Sequence, residues 1–195
     1  DVNQDGYWDA LVHHQPEYWP NLAVYLGTEA QAQLQAQPIY PSSAQMEKVV
    51  ELYIAFFNRA PEFSGLQFYQ NHLKQALEQG QTEADIFSDM ADGFWKAVLH
   101  YSSITHYSTT MSTQQFVEKV YENVLGRPDA VNTDAEGINY WVNLMETESL
   151  SHGQLVLKLL ESAHHYIDSF PTDPISLYVD QLLTNRTDIG MLFGT

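Results

Sequence analysis

The residues of this chain with the clearest capacity for chemistry lie at its start. Asp1-Val2-Asn3-Gln4-Asp5-Gly6-Tyr7-Trp8-Asp9 sets oxygen donors at alternate positions, and Gly6 permits the sharp turn that would fold them round one ion. Hard oxygen ligands at this spacing suit calcium. The alternative is an Asx-rich turn, held by hydrogen bonds from its own side chains to the backbone and otherwise solvated.

A second acidic loop, Asp129-Ala130-Val131-Asn132-Thr133-Asp134-Ala135-Glu136, offers Asp129, Asn132, Asp134 and Glu136 as a possible further calcium cage. Its other reading is a solvated loop in which Asp134 caps the next helix. Arg59 and Arg127 follow amphipathic segments at matching places. A guanidinium there is expected to be structural, bonding helix-end carbonyls or a carboxylate and tying the loop down.

The adjacent aromatic pairs Phe68-Tyr69 and Tyr140-Trp141 point about 100° apart on a helix, so only one ring of each pair takes a central place. Their default reading is core, and an exposed ring would offer a sugar-stacking platform. The histidine pairs His13-His14 and His164-His165 do not share a helical face and lack HExxH spacing, which favours surface histidines over a transition-metal site. There is no G-x-S-x-G, P-loop or G-x-G-x-x-G signature. The chain therefore reads as a non-enzyme, although acids distant in sequence can converge into a glycosidase-type pair.

These residues need elements to position them. Pro38 and Pro41 bracket a connector after a short polar helix expected over Tyr25 to Gln37. Ser42 and Gln45 have capping-box spacing, and Val49, Leu52, Tyr53, Phe56 and Phe57 then trace one helical stripe. The stripe recurs as Val117, Val120, Tyr121, Val124 and Leu125 behind Ser112 and Gln115, with Tyr121 68 residues after Tyr53 and Arg127 68 after Arg59.

Gly65 to Asn71 matches Gly137 to Asn143 at a separation of 72, so the second copy has gained four loop residues. A third helix closes each copy, opened by Thr82 with Asp85 and by Ser151 with Gln154. The expected fold is all-α: a compact helical bundle from two tandem three-helix units, with an irregular N-terminal calcium-type loop. The expected boundaries are 1–41 for the loop and connector, 42–110 and 111–170 for the two repeats, and 171–195 for a tail whose segment Leu177 to Leu183 packs back as a helix.

Composition narrows the partners. In 195 residues, 44% hydrophobic content supplies a core, and cysteine is absent, which excludes disulfides and thiolate chemistry. Eight Lys plus Arg against 25 Asp plus Glu give a net charge of −17, which disfavours nucleic acid and anionic membrane surfaces and leaves divalent cations plausible. No apolar run approaches the ~20 residues of a membrane span. The start at Asp1 reads as a processed terminus or as an excerpt from a longer protein.

Val120-Tyr121, Leu125-Gly126-Arg127-Pro128-Asp129 and Gly137-Ile138-Asn139-Tyr140-Trp141 resemble the bacterial domain family DUF4214. Phe57-Asn58-Arg59-Ala60-Pro61-Glu62 and Phe68-Tyr69 are a diverged second instance. The N-terminal segment resembles the short calcium loops of FG-GAP and thrombospondin type 3 repeats. An EF-hand counted from Asp1 would need an acid where Val12 stands. That likeness implies side-chain oxygens from Asp1, Asn3, Asp5 and Asp9 and the carbonyl of Tyr7.

The family resemblance implies a secreted or cell-surface setting, beside calcium-binding repeats, adhesin modules or S-layer segments, and carries over no catalytic residue. The expected function is a calcium-ordered binding or anchoring module for a glycan, a neighbouring domain or a like chain. The alternatives are a structural subunit of an extracellular layer or filament and a carbohydrate-active hydrolase.

Overall fold

In the computed structural model of the chain, residues 39–193 are described. The calcium-type loop with Asp1, Asn3, Asp5, Tyr7 and Asp9, the aromatic stretch from His13 to Trp19 and the helix expected over Tyr25 to Gln37 lie outside the described residues.

Helix starts are set by local chemistry. Ser42, Ser112 and Ser151 each accept a hydrogen bond from the amide three residues on, and Gln45, Gln115 and Gln154 return one to the cap amide. Each box satisfies donors that the first turn leaves unpaired. Thr82 caps in the same way through the Asp85 amide. The elements are α1 (Ser43–Phe57), α2 (Phe63–Glu78), α3 (Glu83–His100), α4 (Ser102–Thr105), α5 (Thr113–Leu125), α6 (Ala130–Thr133), α7 (Ala135–Thr147), α8 (His152–Ser169) and α9 (Pro174–Phe193). No strand occurs among the described residues, and the chain is all-α.

Helix α1 is more than the one-sided stripe its spacing predicts. Every residue from Val49 to Phe56 is buried, including Glu51. A helix enclosed on all sides belongs at a centre, and α2, α3, α5, α8 and α9 all pack on it. Helix α3 lies along α8, and α5 along α7. Buried residues from both halves, from Met46 and Phe94 to Val156 and Leu183, form one core. The two halves therefore share an interior within the unit that begins at Tyr40.

The tail is longer than expected, because α9 runs for 20 residues and turns Val179, Leu183, Thr187 and Gly190 inward. The acidic segment Asp129 to Glu136 is likewise not all loop, since it holds the short helix α6. No helix among the described residues is long and apolar enough to cross a membrane.

Candidate functional site

One arrangement occurs twice, at the turn that leaves each opening helix. Helix α1 ends on Asn58 at φ 51° and α5 on Gly126 at φ 64°, both left-handed. That conformation costs glycine nothing and asparagine less than most residues. The arginine that follows then bonds an acid at the start of the next helix. Arg59 donates to Glu62, which occupies the N-cap position of α2. Arg127 donates to Asp134 Oδ2 at 2.8 Å, and Asp134 Oδ1 accepts from the Gly137 amide and so caps α7.

A tyrosine closes the same arrangement. A Cβ on Gly65 would fall 2.2 Å from the Tyr53 hydroxyl oxygen, and one on Gly137 would fall 2.8 Å from that of Tyr121. Glycine is required at both places because the phenol lies against the helix backbone. Burial, with Glu62 beside Tyr53 and Asp134 beside Tyr121, pushes each phenol up to about 12. Both stay protonated at neutral pH and act as donors, not as nucleophiles. Hydrogen bonding to Arg59 holds the Glu62 carboxyl below its ordinary range. The arrangement reads as scaffold chemistry.

The second acidic loop has its oxygens committed internally. Asp129 Oδ1 accepts from Asn132 Nδ2 at 2.6 Å, Asp134 is held as described, and Glu136 is exposed. Among the described residues no group of three or more His, Asp or Glu converges for a metal ion.

The aromatic pairs divide alike. Tyr69 stacks on Phe94 at 4.6 Å, and Trp141 is 7% exposed and hydrogen-bonds Tyr121. Their neighbours face water: Phe68 is 64% and Tyr140 58% exposed. Each outer ring meets its inner partner edge to face, at 5.1 Å and 84° in the first copy and 5.2 Å and 79° in the second. Asn71 and Asn143 stand three residues further along, both exposed. Spacing requires one ring of each pair to turn outward, and packing against the third helix decides which.

Three features have no counterpart in the sequence reading. An open groove of 580 Å³ runs beside α5, with His106, Ser108, Thr110, Gln115, Glu118 and Glu122 among its lining, and His106 holds φ 61° at its edge. Buried Glu51 meets His164 Nε2 at 2.7 Å, and that hydrogen bond raises the half-exposed His164 above its ordinary range.

The third feature is a buried polar tie. The Ala55 carbonyl, left over at the end of α1, accepts from the Tyr107 hydroxyl at 3.0 Å and from Asn123 Nδ2 at 2.8 Å. Asn123 stands at Ala55's place in the second copy, and its own carbonyl accepts from Arg186 of α9. Only the unusual burial of an asparagine within the α5 stripe hints at this in the sequence.

Residues 98–166, from the end of α3 through most of α8, match the family described as Domain of unknown function (DUF4214). The match takes in α5, the Arg127–Asp134 pair and the Tyr140-Trp141 pair. No curated protein and no solved structure matches the chain.

Proposed function

We propose that this chain is a non-enzymatic binding or anchoring module of a secreted or cell-surface bacterial protein, built from two tandem copies of the helical unit and ordered at its N-terminus by calcium. The observation that carries the reading is the exposure of Phe68 and Tyr140 at equivalent stations. Core packing is already supplied by Tyr69 and Trp141. A solvated aromatic ring retained in both copies thus has no task in the scaffold, and such rings are common anchors in binding surfaces.

Duplication is supported by the shared caps, the left-handed ends at Asn58 and Gly126, and the Tyr–Gly and Arg–acid contacts. The first copy lies outside the matched segment except at its end. The calcium assignment rests on the spacing of Asp1, Asn3, Asp5, Tyr7 and Asp9. Calorimetric titration with calcium should give binding heat below millimolar metal, and its absence would sink that part.

The module itself is tested by a phenylalanine-and-tyrosine double replacement. F68A/Y140A should keep the wild-type helical signal and melting temperature while losing retention on bacterial surface polymers or like chains. Retention that survives the double replacement counts against the reading. A structural subunit of an extracellular layer is favoured by a different feature, the exposed Ile175, Leu177 and Ile189 along α9. It predicts concentration-dependent assembly on sizing columns, abolished by charged residues at those positions.

A further inference from the structure

We infer that Phe68 with Asn71 and Tyr140 with Asn143 form two equivalent subsites for a neutral carbohydrate chain; this rests on the binding-module reading and names its ligand class. Residues three apart share a helix face, so each ring has an amide beside it. A pyranose offers the complementary pair of surfaces: a patch of C–H bonds that lies against an aromatic face, and hydroxyls that exchange hydrogen bonds with an amide able both to donate and to accept.

The rings are set in advance. Edge-to-face packing on a buried partner fixes each outer ring, with nearly the same separation and tilt in both copies. An aromatic held in its binding orientation loses little rotamer freedom when it meets a ligand. The identity of the surroundings has drifted: Gln67 became Asn139, His72 became Leu144, and the ring itself changed from Phe to Tyr. Exposure, amide spacing and ring geometry did not.

Charge selects the class of sugar. A net charge of −17, with exposed Glu136 one helical turn before Tyr140, repels uronates and sulfated or phosphorylated polymers. Neither subsite carries a basic residue at the ring or the amide. A neutral hexose polymer meets no such penalty.

Affinity electrophoresis of the full chain through gels containing galactomannan, mixed-linkage β-glucan or dextran, with alginate as the anionic control, tests this. Retardation is expected with at least one neutral polymer and not with alginate. F68A and Y140A should each weaken it roughly five- to tenfold and the double variant should remove it, while F68W and Y140W retain it. N71A and N143A should weaken it without changing the melting temperature.

Retardation by a neutral polymer that the double variant leaves intact overturns the two subsites while the module reading stands. So does self-association lost in the double variant without any retardation by sugars. No retardation and no association in the wild-type chain overturns both.

Discussion

The two copies wrap the same backbone plan round different interiors. In the first, Phe94 of α3 touches the rings of Tyr53, Phe56, Phe57 and Tyr69, giving a cluster of five aromatics. In the second, the corresponding positions hold Ala163, Tyr121, Val124, Leu125 and Trp141. Ala163 gives up most of the space that Phe94 fills, and the larger indole of Trp141 takes part of it back. The caps, turns and glycine contacts agree while the core residues do not. Local backbone chemistry specifies the unit, and volume alone constrains its filling.

The largest test of this contrast is at its centre. Phe94→Ala should cost about 3–5 kcal/mol, because four rings cannot close over the void, as read from the shift in urea midpoint at constant slope. Ala163→Phe, which writes the first copy's residue into the second, should cost about 1–3 kcal/mol through overpacking. A neutral result for Ala163→Phe would mean that the two interiors are interchangeable after all.

A smaller effect is expected at the tie between the copies. Tyr107→Phe removes a buried donor from the Ala55 carbonyl and leaves Asn123 to satisfy it alone. The expected loss is about 1–2 kcal/mol. The arginines should differ less again. The Arg59–Glu62 side chains are 50% and 54% exposed, against 21% and 30% for Arg127 and Asp134. Arg59→Met should change stability by less than about 0.5 kcal/mol. Arg127→Met should cost about 1 kcal/mol, since it also frees the residue that caps α7. Double-mutant cycles with Glu62 and Asp134 give the two coupling energies.

The smallest effects are pH dependences along α8, the helix of the second copy that reaches furthest into the first. The His164 pKa is raised above 6.5 by its bond to Glu51, so its stabilisation is full below 6.5 and fades as pH rises through the folded value. Asp168 and Asp180 act in the same direction. His152 stacks on Trp95 at 3.9 Å, and burial lowers its pKa, so its contribution is present above 6.5 and lost as pH falls through the folded value. The melting-temperature difference between wild type and His164→Gln should shrink towards alkaline pH. Against His152→Phe, wild type should lose ground towards acid. Parallel profiles would show that neither histidine is linked to folding.

Much of the scaffold was legible because its determinants are short-range. Ser42, Ser112 and Ser151 announce their helices within four residues, and Tyr53 and Tyr121 keep the stripe. What escaped depends on partners distant in sequence. Nothing local says that α1 is enclosed on every side, that Phe68 and not Tyr69 faces water, or that Asn123 serves a carbonyl 68 residues earlier. The four inserted residues read as loop because Asp129, Asn132 and Asp134 are turn formers, yet α6 forms there with Asp129 and Asn132 bonded to each other.

The leftover carbonyl at Ala55 has one more consequence. It is answered by Asn123 of the second copy, and the matching carbonyl of Asn123 is answered by Arg186 beyond it. Each unit is completed by its successor in the chain, so neither is an autonomous folding unit. Severing the chain between α4 and α5 should leave an incomplete first half with an unpaired acceptor, and the intact protein should melt in a single cooperative transition.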